Sequence, residues 1–181
     1  MFQMPPIPTW DGLHPLIIHF PIGLLLIAPV LILIGILMPP KKGRTMLLAA
    51  FVLMLLGTIS VFIALQTGEA AAELADRTPE INAIIQQHES LAEKTRLTFS
   101  ILTVIFAAIL FVPTLLKREV NRMMHVVLPL IFLFFYGAGA VMLANTAHQG
   151  GRLVHEFGVK ALVAPTPGGT PTPVAKPEEG D

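Results

Sequence analysis

The sequence predicts an all-α integral membrane protein, a bundle of four transmembrane helices, and three observations predict it. Hydrophobic residues make up 54% of the chain and charged residues 13%, about half the charged share of an ordinary soluble domain. Four stretches, Leu13–Met38, Thr45–Gln66, Leu97–Leu116 and Met123–Ala144, contain no Asp, Glu, Lys or Arg. At a rise of about 1.5 Å per residue each crosses a hydrocarbon core of roughly 30 Å. None alternates in the manner of a strand, and in lipid the backbone is satisfied only in helices or closed barrels.

The segment before the first run, Met1–Gly12, has no Lys or Arg. The run is also too long for a signal-peptide core, and no small-residue cleavage site precedes Pro39, so a mature helix is expected. The loop Pro39–Arg44 carries Lys41, Lys42 and Arg44 with no acid, and Lys117–Arg122 carries Lys117, Arg118 and Arg122 against Glu119. Under the positive-inside rule both loops face the cytoplasm, which leaves the termini and the long second loop outside. That second loop, Thr67–Arg96, reads as a helical outer extension. Thr78-Pro79-Glu80 has the pattern of an N-cap, a first-turn proline and an early acid. After it Ile81, Ile84, Ile85, His88, Leu91, Ala92 and Thr95 form one stripe, so a single helix is expected from Pro79 to Leu116. Upstream, Glu73 and Arg77 are expected as a surface pair one turn apart.

Three regions follow: an outer N-terminal segment (1–12), the membrane domain (13–160) and a disordered Pro/Gly-rich tail (161–181) with nothing to bury. Small residues define two expected packing faces, Gly57, Ser60, Ala64 and Gly68 on helix two, and Gly137, Ala140 and Ala144, continued by His148, on helix four. Zero net charge argues against nucleic acid, since phosphate binding requires a basic surface. The absence of Cys excludes thiolate sites and thiol nucleophiles. A phosphate loop, a Gly-x-Ser-x-Gly elbow and a His-Glu-x-x-His helix are all missing, because Ala92 follows His88-Glu89 where a second His would be needed.

Five of the six histidines fall at the outer end: His14, His19, His88, His148 and His155. His125 lies at the inner end and is expected as an interfacial residue. Pro21 exposes the carbonyl of Ile17 and should kink helix one beside His19. Gly23, one turn below, leaves space for a planar ligand. The pair Gly150-Gly151 is expected to break helix four and fold the chain back over the bundle mouth. An ionisable side chain inside a span is costly and usually functional, which favours His19. A lone histidine is more often interfacial and structural, but five converging from separate helices point to ligation.

Neutral imidazole suits haem iron or a non-haem metal. His19, His88 and His148 are the leading cofactor-binding candidates, with His14 and His155 in reserve. A metal ion held by His19, His88, His148 and Glu69 is the rival to haem b, with Glu89 and Glu156 as further carboxylates. The expected function is electron transfer in a bacterial inner membrane, with a quinone or an outer-face c-type cytochrome as partner. A non-catalytic scaffold with structural histidines is the alternative. A transporter is disfavoured by the lack of charge within any span.

The combination His14-Pro15, His19-Phe20-Pro21-Ile22-Gly23, Thr67-Gly68-Glu69, His88-Glu89 and Gly150-Gly151-Arg152-Leu153-Val154-His155-Glu156-Phe157-Gly158-Val159 resembles a bacterial four-helix membrane family, domain of unknown function 2231. The resemblance spans Leu13 to Val159 and implies a plasma-membrane protein with four spans and no established activity. Members of that family show a His-x-Gly near the final motif. Here the residues are His155-Glu156-Phe157-Gly158, which puts the equivalence of His155 in doubt.

Overall fold

A computed structural model describes residues 7–75, 78–119 and 121–159. The tail and the expected Glu73–Arg77 pair lie outside the described residues. The chain forms four long helices, each apolar and long enough to cross a membrane: α1 (Asp11–Leu37), α2 (Pro40–Glu73), α3 (Pro79–Leu115) and α4 (Met123–His155). Successive helices pack as neighbours, α1 on α2, α2 on α3 and α3 on α4, and α4 closes the ring on α1. That arrangement sets α1 and α3 across one diagonal. The two longest helices, of 34 and 37 residues, reach about 50 and 55 Å at 1.5 Å per residue, well beyond a hydrocarbon core. The chain expected as an outer extension is therefore α2 and α3 running on, and among the described residues no separate outer element stands beside them.

Proline placement explains most of the local geometry. Pro15 sits in the first turn of its helical segment His14–Ile17, where its missing N–H costs nothing. The helix pauses at Ile18, between segments His14–Ile17 and His19–Leu37. That is where the ring of Pro21 opposes the carbonyl of Ile17 and leaves it without its intrahelical N–H partner. Pro29 removes the N–H that would bond the Leu25 carbonyl, and the hydroxyl of Tyr136 on α4 donates to that carbonyl at 2.5 Å instead. The α1–α2 turn is set by Met38, extended at φ −90° and ψ 159° ahead of Pro39, with Pro40 opening α2. Thr78 caps α3 as expected, its hydroxyl accepting from the N–H of Ile81 at 3.3 Å.

The core is a column of Leu25, Ala28, Ile32, Met54, Phe99, Phe106, Phe132 and Tyr136. Phe106 and Phe132 stack at 4.8 Å. Thr58 and Thr103 join α2 to α3 through a buried 2.8 Å hydrogen bond, the kind of polar contact that holds helices where lipid offers no hydrophobic drive. Gly57 and Gly68 on α2 both receive α1 side chains, Leu25 and His14, which is what their small-residue face was expected to do.

Two expectations fail on α4. Its buried face runs through Phe132, Tyr136, Gly139 and Leu143, while Gly137, Ala144 and His148 are exposed. The small-residue face with His148 therefore points outward, away from the neighbouring helices. Gly150 and Gly151 do not break the helix, which continues to His155. Past His155 the N–H groups of Glu156 and Phe157 both return to the Arg152 carbonyl, at 2.9 and 3.2 Å, and after Gly158, φ +65°, the N–H of Val159 returns to the Leu153 carbonyl at 2.9 Å. The left-handed glycine lets the chain turn back over the last helical turn. A 2.8 Å Arg152–Glu156 ion pair and the Arg152 guanidinium over the Phe157 ring reinforce the same turn.

Candidate functional site, a facing pair of imidazoles

At the histidine end two rings enter the bundle from opposite corners. His14 begins the helical part of α1 and is pressed against Gly68 of α2, where a Cβ would stand 2.8 Å from its Cε1. His88, two turns and more into α3, lies against Gly150 of α4, where a Cβ would stand 3.1 Å from its Cε1. Each glycine therefore makes room for an imidazole. The two ring centres are 6.4 Å apart and the ring planes cross at 83°.

Each ring is oriented through Nδ1. His14 Nδ1 lies 2.9 Å from the Ala64 carbonyl and 3.2 Å from the Thr67 hydroxyl. His88 Nδ1 lies 3.0 Å from the Thr146 carbonyl. A carbonyl only accepts, so each Nδ1 carries the hydrogen, and Nε2 of the neutral ring is left with the lone pair. The hydroxyls behind the rings are themselves fixed: Thr67 donates to the carbonyl of Ile63, Thr146 to that of Met142, and Thr95 pairs with Thr146 at 2.8 Å. His88 stands outside the apolar run that opens at Leu97. Burial holds its imidazole below the ordinary histidine range, opposed by the bond to the Thr146 carbonyl, so the ring is neutral at neutral pH.

The arrangement is doubled. In each helical hairpin a histidine of the first helix donates to a carbonyl of the second, four residues before the glycine it packs on: Ala64 and Gly68, then Thr146 and Gly150. Among the described residues neither Nε2 has a hydrogen-bond partner, and no buried side-chain nitrogen or oxygen is left unpaired. The two lone pairs are therefore reachable.

Of the histidines singled out in the sequence, the structure brings together His14 and His88. His19, His148 and His155 are exposed, and so is Glu69, whose neighbours Thr67 and Gly68 face the site. Glu156 is engaged by Arg152. Among the described residues no three His, Asp or Glu side chains converge to hold a metal ion. Sequence reading named Thr67 only within a motif and Thr95 only as part of the α3 stripe, and it missed Thr146, whose one visible signal is a hydroxyl in an otherwise apolar helix. His125, expected at the interface, is 4% exposed, with Nε2 donating to the Met38 carbonyl at 3.1 Å and its ring against Gly43.

Residues 11–162 match the family model described as a predicted membrane protein, DUF2231. No curated protein and no solved structure matches the chain.

Proposed function

The chain belongs to the DUF2231 family of predicted membrane proteins, and from that footing we propose that it is a haem b protein of the bacterial inner membrane, with His14 and His88 as axial ligands. The observation that carries the reading is the facing pair with both Nδ1 atoms engaged and both Nε2 atoms free. Hydrogen-bonding the distal nitrogen to a carbonyl is how proteins fix the tautomer and aim of a ligating imidazole. His14 and His88 would hold the group through their two unengaged Nε2 atoms. The ring centres here are 6.4 Å apart.

A pair of imidazoles also favours haem over the rival bare metal. A non-haem ion needs three or four protein ligands, whereas a porphyrin brings four nitrogens of its own and requires only the axial ones. When bound, haem b supplies one-electron chemistry at iron. The protein holds the two rings and aims them through their Nδ1 bonds to the Ala64 and Thr146 carbonyls. The basic residues at the opposite end support an outer position for the histidine end under the positive-inside rule. Electrons would then pass to or from a quinone or an outer-face cytochrome. No second imidazole pair lies at the other end among the described residues, so the electron path is confined to one face.

The second reading is a scaffold in which the pair only fastens the hairpins, favoured by the two histidine–carbonyl bonds between helices. The test is an absorption spectrum with metal analysis on protein purified from haem-replete membranes. Haem bands shifting on reduction are expected; colourless, metal-free protein supports the scaffold and contradicts the haem.

A further inference from the structure

We propose that the cavity between α2, α3 and α4 at the basic end is a binding site for the phosphate headgroup of an anionic phospholipid. The cavity measures about 190 Å³ and is lined by Lys41, Arg44 and His125 above Leu47, Ile109 and Leu110. Arg44 is half-buried and its Nη2 donates to the Thr114 hydroxyl at 2.8 Å, which fixes the guanidinium between α2 and α3 with further N–H groups to offer. Neither Lys41 nor Arg44 has a carboxylate partner among the described residues. Lys42 on α2 and Lys117, Arg118 and Arg122 between α3 and α4 add further positive charge at this end, against Glu119. Two unneutralised cations at one mouth attract an anion, and basic pockets between spanning helices are suited to phosphate headgroups.

The floor of the cavity distinguishes lipid from free phosphate. Ile109 and Leu110 belong to the charge-free run of α3 and Leu47 to that of α2. Leu47 and Leu110 are themselves buried in the core, and the outer face of the same stretch of α3 carries the exposed Phe111, Val112 and Leu115, so a headgroup at the mouth has an apolar floor beneath it and an apolar helix surface for its acyl chains. Inorganic phosphate would gain nothing from that wall. The inference does not rest on the haem reading, since it concerns the opposite end of the bundle.

Native mass spectrometry of the full-length protein, released from neutral detergent with phosphatidylglycerol, phosphatidylcholine or inorganic phosphate, tests it. Phosphatidylglycerol should be retained in preference to phosphatidylcholine. Retention should fall roughly fivefold in Lys41→Gln, which leaves the Arg44–Thr114 bond intact, and on the order of twentyfold with Arg44→Gln added. The variant Lys117→Gln/Arg118→Gln, which removes equal charge from outside the cavity, should change it less than twofold. Equal loss in that variant, undiminished retention in Lys41→Gln/Arg44→Gln, or displacement of the lipid by inorganic phosphate would overturn the proposal.

Discussion

Both ends of the bundle bury an imidazole against a glycine of a neighbouring helix, and they differ in which nitrogen the protein engages. At the basic end the His125 ring lies on Gly43 and donates through Nε2 to the Met38 carbonyl. That contact ties α4 to the α1–α2 turn. At the histidine end the rings of His14 and His88 lie on Gly68 and Gly150, but Nδ1 makes the backbone bond and Nε2 is left over. The same residue on the same kind of small-residue seat is a strut in one place and a pair of available ligands in the other. Counting histidines does not separate these roles; atom-level partners do.

Replacing rings is the sharpest way to break the comparison. His14→Ala or His88→Ala should abolish the haem spectrum of the purified protein, while His125→Ala should keep it and lower stability by about 2–3 kcal/mol, read as a drop in the thermal midpoint. His125→Ala without haem, or His88→Ala with it, would erase the distinction. Gly43→Ala should be nearly as damaging to folding, because its Cβ would overlap the carbonyl of Gly35 in the α1–α2 packing seam. Backbone cannot move aside as a side chain can, so a loss of roughly 2–4 kcal/mol is expected in detergent unfolding. Gly150→Ala meets a ring at 3.1 Å, a tighter fit that the imidazole can relieve by a small shift. It should leave the fold intact and cost about 1 kcal/mol, with the spectrum moved rather than lost.

Smaller effects refine the picture. Tyr136→Phe removes the hydroxyl that satisfies the Leu25 carbonyl freed by Pro29, and should cost about 1 kcal/mol at a site remote from either end. Acid should act on the histidine end. His88 has its pKa lowered in the folded protein, so the unfolded chain binds more protons between the folded value and about 6.5. The stability it contributes is fully present above pH 6.5 and is lost as pH falls toward the lowered folded value. His88→Gln should flatten that part of a stability–pH profile.

The four spans and the Thr78 cap were legible in the sequence because each rests on local chemistry. Charge-free length, a capping hydroxyl and a missing N–H act within one or two turns. Site geometry depends on azimuth around the helix, which is fixed by packing. His19 was favoured for its depth, yet five residues from His14 rotate it about 140° around the helix, and it emerges on the exposed face. Thr67, Gly68 and Glu69 illustrate the same point, since the first two face the site and the acid does not. The face of α4 was misplaced by a similar rotation, from Gly139 to Ala140. Gly150-Gly151 reads as a break from propensity alone, but the close contact with His88 rewards a residue without a Cβ inside the helix. The doubled histidine–carbonyl–glycine motif was invisible because its parts are separated by 50 and 58 residues.

Electron paramagnetic resonance of the oxidised protein probes the facing pair most directly. Two imidazoles on one iron with planes crossed near the observed 83° should give a low-spin ferric signal of the strongly anisotropic type that perpendicular axial rings produce. A high-spin signal, or none from protein that carries no iron, would contradict ligation by His14 and His88.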